Sequence, residues 1–269
     1  MGTMTGKTAI VTGAGHGQGA NHCIRLADAG ANVVAVDVCT DVEFFYPLAS
    51  KEELEDTAAR CRSTGSDALP IVADVRDPTQ VASVLDQTIE RFGRVDILCN
   101  NDGLARIDAI DEVSDDVLSA ILDVNVRGAF NMTRAVTPAM KEQNYGKIIN
   151  IASAAAVKPL PYLSHYSAAK GAIAAATKSW ARELGPWGIN VNCIAPGTVL
   201  TAMIVGLAAQ LDKAPEQAFD EFNSGSVFTG ARSHITVDDI TDALMFLVSE
   251  SSRMITGHVL AVDGGKTNT

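Results

Sequence analysis

Short apolar runs alternate with longer amphipathic stretches over most of this chain. The runs at 8–12 (TAIVT), 32–37 (NVVAVD), 68–73 (ALPIVA), 95–99 (VDILC), 147–151 (KIINI), 190–194 (NVNCI) and 258–262 (HVLAV) read as seven strands. Most lack polar alternation, as expected of parallel strands covered on both faces. Between them the spacing predicts helices over 17–29, 51–64, 78–92, 114–140, 166–185 and 236–249. Ser50 followed by Glu53 is a capping-box sequence at the start of the second helix. Strand and helix repeating in this order demand right-handed crossovers, hence an α/β, doubly wound sheet with helices on both faces. No linker or low-complexity tract divides the 269 residues, so a single domain over 1–269 is expected. The segment 199–233 breaks the rhythm and predicts a small helical lobe over one end of the sheet.

Composition narrows the partners. Apolar residues at 47% can fill a sizeable core, and charged residues at 20% do not suggest disorder. A formal charge of −11 argues against nucleic acid and anionic membrane surfaces. Cys23, Cys39, Cys61, Cys99 and Cys193 are scattered without a C-x-x-C pair, which fits free thiols in a reducing compartment. No stretch approaches eighteen uninterrupted apolar residues and no signal-peptide core is present, so a soluble cytoplasmic protein is expected. The five histidines are unclustered, and no metal site is expected.

Directly after the first strand stands Thr12-Gly13-Ala14-Gly15-His16-Gly17-Gln18-Gly19, leading into a helix. Glycines there permit a tight turn and let backbone N–H groups approach a pyrophosphate at a helix N-terminus. Such a turn can also be purely structural. Asp37 ends the second strand, where a carboxylate accepts hydrogen bonds from ribose hydroxyls and repels a 2′-phosphate. No Arg or Lys follows at 38–40, so NAD is favoured over NADP. His16 offers a phosphate only a mostly neutral imidazole. Asp74 and Val75 follow the third strand; the carboxylate can meet an adenine amino group or simply begin the turn into Pro78.

Tyr166 and Lys170 lie four apart on one predicted helix, hence on one face. An ammonium there can stabilise a phenolate and lower a tyrosine pKa that is ordinarily about 10. The result is a general acid/base for a hydroxyl or carbonyl substrate at neutral pH. A three-unit shift corresponds to about 4 kcal/mol of phenolate stabilisation. That order of energy is available from one ammonium and an oxidised nicotinamide in a dry site.

Together, Thr-Gly-x-x-x-Gly-x-Gly at 12–19, Asn100-Asn101-x-Gly103, Asn125, Ser153, Tyr166-x-x-x-Lys170 and Pro196-Gly197 resemble the short-chain dehydrogenase/reductase family over roughly residues 6–265. The resemblance implies a Rossmann-type fold with seven parallel strands in the order 3-2-1-4-5-6-7 and a homotetramer. It makes Tyr166 the acid/base, Ser153 a hydrogen-bond donor to the substrate oxygen, and Lys170 the group that tunes Tyr166 and holds the nicotinamide ribose. Asn125 would anchor a water linking Lys170 to solvent. For the NAD cofactor it implies contacts from Gly13, His16, Gly17, Gln18, Gly19, Asp37, Asp74, Val75, Asn101 and Gly103, besides Tyr166 and Lys170. Pro196, Gly197, Val199 and Thr201 would hold the carboxamide, although Thr201 is equally placed to cap the next helix. Ser153 and Asn125 also have ordinary readings, as a strand-end cap and a turn former.

One position departs from the pattern. The family usually has Ala where this chain has Asp102, and an exposed carboxylate at a loop tip is expected; pointing inward, it would put cofactor affinity in doubt. The link at 38–50 is unusually long. Its Tyr46-Pro47-Leu48-Ala49-Ser50 resembles the carveol dehydrogenase-like, mycofactocin-coupled branch, in which NAD(H) is often tightly held and alicyclic alcohols are oxidised. The lobe carries Met203, Ile204, Leu207, Leu211, Phe219, Phe222, Val227 and Phe228, which suit either a lid over a hydrophobic alcohol or ketone or plain packing. His165 falls on another helix face than Tyr166 and needs no catalytic role. A 3-oxoacyl-carrier-protein reductase would share the catalytic set but prefers NADPH and an acidic carrier, which Asp37 and the −11 charge disfavour. A non-catalytic NAD-binding protein would be expected to have lost Ser153, Tyr166 or Lys170.

Overall fold

The computed structural model of the chain describes residues 4–229 and 234–268. Its strands are β1 (Thr8–Thr12), β2 (Asn32–Asp37), β3 (Ala68–Val72), β4 (Ile97–Asn100), β5 (Gly146–Ile151), β6 (Ile189–Pro196) and β7 (Val259–Val262). They form one sheet in the order β3-β2-β1-β4-β5-β6-β7, parallel throughout. The expected order is therefore the observed one.

Adjacent strand residues point to opposite faces, which explains the unbroken apolar runs. Ala9, Val11, Val33, Ala35, Ile97 and Cys99 pack on one side with Cys23 and Leu26 of α1 (Gly17–Asp28). Leu54 of α2 (Lys51–Ser63) and Ile240 and Leu244 of α9 (Val237–Val248) complete that layer. Ile10, Val34, Val36, Leu98 and Ile148 enter the opposite layer, formed with α3 (Pro78–Phe92), α5 (Ala129–Gln143) and α6 (Ser164–Leu184). Ser50 and Glu53 make the expected capping box at α2.

The helix expected over 114–140 needs correction. The chain runs as α4 (Asp115–Leu122), a π-helical turn over Asp123–Gly128, then α5 to Gln143. Apolar periodicity does not reveal one extra residue per turn, so the sequence reads as one helix. The lobe expected at 199–233 contains α7 (Ala202–Gln210) and α8 (Pro215–Phe222); its residues 230–233 lie outside the described ones. Ile204, Leu207 and Phe219 are buried there, while Val227 and Phe228 are exposed. Among the described residues no helix is long and apolar enough to cross a membrane.

Strand order reverses between β1 and β4, and the carboxyl ends of these strands open the crevice where ligands of such sheets bind. The glycine turn after β1, the Asn100–Gly103 turn after β4 and the segment after β6 all converge there.

Candidate active site

Two cavities occupy this crevice and share Gln18, Asn101, Gly103, Thr201 and Met203, so they form one continuous cleft. The first, about 840 Å³, lies over the glycine turn. Gly13, His16, Gly17, Gln18, Gly19, Asp37, Asp74, Val75, Asn101, Gly103 and Thr201 all border it.

The turn is shaped by what a side chain would strike. A Cβ on Gly19 would sit 1.9 Å from the Gly13 carbonyl oxygen, and one on Gly15 would sit 2.3 Å from Ala49 Cβ. Asn101 Nδ2 donates to the carbonyls of Thr12 (2.9 Å) and Gly13 (3.2 Å), tying the β4 turn to the β1 turn. Asp37 is buried, and its carboxylate accepts from the backbone N–H of Gly15 at 3.0 Å and Cys39 at 3.2 Å. His16 Nε2 and Gln18 Oε1 are buried without a hydrogen-bond partner at the cavity wall. Buried polar atoms normally find partners, so this cleft is built for a polar ligand.

Asp74 already holds Arg76: Nε donates to Oδ1 at 2.9 Å and Nη2 to Oδ2 at 2.6 Å. Arg76 thus joins the cleft wall, a residue the sequence analysis did not single out. Tyr46 is another. Its hydroxyl donates to the Gly103 carbonyl at 3.2 Å, and its ring packs where Gly206 of α7 has no side chain. The long 38–50 link therefore folds over the cleft and touches the lobe; its length and the run at 46–50 were the sequence signals for this.

Asp102 is not an exposed loop tip, which corrects the expectation. Its backbone N–H donates to Thr12 Oγ1 at 3.2 Å, and the residue borders the cleft. Burial pushes its carboxyl up to about 7, and Asp37 and Asp74 add to this. The Thr12 hydroxyl and Lys170 oppose it. A carboxyl raised in the folded state binds protons there that the unfolded chain releases near pH 4. Its contribution to stability therefore falls as pH rises from about 4 through about 7, by an amount on the order of 4 kcal/mol. Asp102→Asn is expected to melt higher than the parent at pH 8, with the gain vanishing towards pH 4. Melting curves at both pH values check this; a gain that ignores pH would show the carboxyl to be ionised throughout.

The second cavity, about 950 Å³, is bordered by Ser153, Tyr166, Lys170, Pro196, Gly197 and Val199. Gly197 lies so close to Asp263 that a Cβ there would approach Asp263 Cα to 2.9 Å. Ser153 follows β5, and its Oγ accepts from the Ala155 N–H at 3.1 Å, so it caps a turn as well as facing the cavity. Tyr166 and Lys170 lie one turn apart on α6. Lys170 is buried, its Nζ donating to the Ile151 carbonyl at 2.9 Å and standing 5.8 Å from the Tyr166 ring centroid. Burial brings its ammonium down to about 8, opposed by Cys193 and Asp102. Thr201 stands at the N-cap of α7 but makes no capping hydrogen bond, so the helix-cap reading fails for its side chain.

The expectation that Lys170 lowers the Tyr166 pKa is not met within the chain alone. Burial raises the phenol above its ordinary value, and a hydrogen bond with Ser153 opposes that rise. The ammonium sits toward the Ile151 carbonyl instead of on the phenol oxygen, so desolvation outweighs it.

Asn125 comes from the π-helical turn, a frequent functional feature of helices. Its Nδ2 donates to the Leu104 and Ile121 carbonyls, which leaves buried Oδ1 without a partner. A Cβ on Gly103 would lie 3.0 Å from both Asn125 Oδ1 and Lys170 Nζ. Gly103 therefore keeps open the space between these two groups. His165 lies apart, with Nε2 3.2 Å from Asp108 Oδ2. Among the described residues no group of three His, Cys, Asp or Glu side chains could hold a metal ion.

A sheet switching direction at a glycine turn, with Ser, Tyr and Lys on the far side of one cleft, defines a dehydrogenase of the short-chain class, and the chain belongs to that family. The family's sequence model, described as short chain dehydrogenase, matches residues 7–212. The chain is 35% identical to (-)-trans-carveol dehydrogenase of Rhodococcus erythropolis over 275 residues, covering 99% of both proteins. It is 34% identical to cyclohexanol dehydrogenase of Rhodococcus sp. (strain TK6), covering 98% of this chain and 97% of the relative. The crystal structure of carveol dehydrogenase from Mycobacterium avium in complex with NAD superposes with a TM-score of 0.94, at 30% identity and full coverage of both chains.

Proposed function

We propose that this oxidoreductase interconverts a hydrophobic, alicyclic secondary alcohol and its ketone with NAD. What supports the reading most is the Ser153–Tyr166 pair above buried Lys170, facing a largely apolar cavity continuous with the glycine-turn cleft. Ala155, Leu160, Leu163, Ile204, Leu207 and Phe222 supply that apolar wall. Carveol and cyclohexanol, named for the two relatives, are alicyclic alcohols.

NAD suits the residues at the other end. Gly13, Gly17 and Gly19 bring backbone N–H groups to a pyrophosphate. His16 and Gln18 have unpartnered atoms to offer it, and Asn101 and Gly103 line its path. Asp37 would accept from the adenosine ribose hydroxyls and reject a 2′-phosphate. Asp74 and Val75 would border the adenine, although the Asp74 carboxylate must share itself with Arg76. Lys170 would hold the second ribose, and Pro196, Gly197, Val199 and Thr201 the carboxamide. When bound, the nicotinamide supplies a hydride acceptor for the alcohol or a donor for the ketone.

The chain's own residues move the proton. Tyr166 takes it from the substrate hydroxyl in oxidation and returns it to the carbonyl oxygen in reduction. Ser153 donates a hydrogen bond to that oxygen and stabilises the alkoxide-like charge. Lys170 favours the phenolate, which burial alone opposes. Asn125 Oδ1, left unpartnered across the gap kept by Gly103, would hold a water that passes protons onward from Lys170.

Purified protein screened with cyclohexanol, carveol and their ketones tests this. Turnover with NAD well above that with NADP is expected; NADP preference would refute the role of Asp37. Absorbance of bound NADH after purification would show whether Tyr46 and its segment retain the nucleotide, whereas turnover with freely exchanging NAD would show that they do not.

A further inference from the structure

A third, smaller cavity of about 250 Å³ adjoins the cleft at Asp102, walled by the ends of β1, β4 and β5 and by the π-helical turn. Thr12, Asn100, Asp102, Asn125 and Ile151 line it. Among the described residues that do so, Asp102 is the one ionisable side chain.

Two buried carboxamides line this cavity, each with its oxygen unanswered. Asn100 Nδ2 donates to Asn150 Oδ1 at 2.8 Å and to Thr133 Oγ1 at 3.1 Å, which leaves Asn100 Oδ1 without a partner. Asn125 Oδ1 stands likewise. Both side chains have spent their N–H groups on acceptors, so turning either one over would only set oxygen against oxygen. What the two oxygens lack is a donor. Lys170 has three N–H bonds, one of them given to the carbonyl of Ile151 in the cavity wall. A water in the space kept by Gly103 would reach both Lys170 Nζ and Asn125 Oδ1.

Asp102 stands at the other end. Its Oδ1 lies 3.0 Å from where a Cβ on Gly13 would be, and the Thr12 hydroxyl hydrogen-bonds its carboxyl. Besides burial, Asp37 after β2 and Asp74 after β3 oppose its ionisation, while Lys170 of α6 favours it. Asp74 is itself held by Arg76, and the Cys99 thiol of β4 is pushed up by burial and by Asp102. Burial brings Lys170 down to about 8 and Asp102 up to about 7, so the two hold a proton with similar strength.

We propose that Asp102 exchanges protons with Lys170 across this cavity, taking up the substrate's hydroxyl proton in alcohol oxidation and giving one back in ketone reduction. This rests on the oxidoreductase reading above and extends the route that Asn125 begins. In oxidation the substrate C–H bond gives its hydride to the nicotinamide, and the O–H bond gives its proton to Tyr166. Lys170 gains that proton while it releases another to the water, so its own charge is unchanged. The water passes one on to the Asp102 carboxylate, which becomes a carboxyl and later loses the proton to solvent through the cleft it borders. Reduction runs the same transfers backwards. Asp102 touches no substrate; it acts through Lys170.

The test follows cyclohexanol oxidation with NAD over about pH 6–9 in the parent, Asp102→Asn and Asp102→Glu. The parent's kcat should rise through an ionisation near pH 7, below that of Tyr166. Asp102→Asn should lose this lower limb, drop about tenfold in kcat at pH 8 and show a larger solvent deuterium isotope effect. Asp102→Glu should restore the limb. Equal pH profiles in the parent and Asp102→Asn, or a change confined to the KM for NAD, would overturn the proposal. Infrared titration reads the exchange without turnover. A carboxylic acid C=O band should titrate near pH 7, vanish in Asp102→Asn and move its midpoint upward in Lys170→Met. A midpoint indifferent to Lys170→Met would also overturn the proposal. Absence of parent turnover with cyclohexanol and carveol would instead sink the oxidoreductase reading, and the infrared titration would still decide whether Asp102 and Lys170 are linked.

Discussion

Tyr166→Phe is expected to cut turnover by roughly 10²- to 10⁴-fold, the range over which a positioned general acid or base acts. The loss should fall on kcat with little change in nucleotide affinity. The ring has a structural role that Phe preserves, packing against Ala105, Ile204, Leu207 and Phe219. Only the phenol oxygen is removed, and with it the group that Ser153 touches. Because burial raises that phenol, oxidation should speed up with pH until the phenolate predominates. The variant should lose this rise together with the rate. Steady-state kinetics over a range of pH, with melting temperature as a control for folding, measures both. Unchanged turnover in a folded variant would sink the mechanism whatever the substrate proves to be.

Gly19→Ala should have the second large effect, for a reason unrelated to glycine's backbone freedom. The new Cβ would fall 1.9 Å from the Gly13 carbonyl oxygen and 2.7 Å from Asn101 Nδ2. The first of these is backbone and cannot rotate away. The turn must open, which breaks the Asn101 bridge to the Thr12 and Gly13 carbonyls. Overpacking a tight site costs about 1–3 kcal/mol or more, so melting should drop by several degrees. NAD affinity should fall by about a hundredfold or more, since N–H groups displaced by an ångström no longer converge on a phosphate. Fluorescence titration with NADH and a melting curve check the two effects separately. Binding within about twofold of the parent would mean that the turn does not cradle the nucleotide.

The seven strands, the capping box and the cleft-lining glycines were legible because each depends on local pattern, whereas the strand order came from the family resemblance. A run such as NVVAVD reads as a doubly covered strand wherever it stands, and β2 occupies the whole of it. The π-helical turn was not legible, since an extra residue in one turn leaves the apolar spacing nearly unchanged. Thr201 looked like a cap because its residue type and position suit one, yet its side chain makes no capping hydrogen bond. Asp102 looked exposed because loop tips usually are; Thr12, Lys170 and Asp37 surround it only once β1, α6 and β2 are assembled.

By itself, then, the sequence determined the βα order, the family and the residue types available for chemistry, through short-range spacing and the steric demands of glycine. The tertiary structure alone decided how their charges interact. It placed Tyr166 where burial outweighs Lys170, turned Asp102 inward and laid Tyr46 over the cleft. The physical reason is that desolvation and Coulomb energies depend on distance and burial in space, and separation along a chain reports neither.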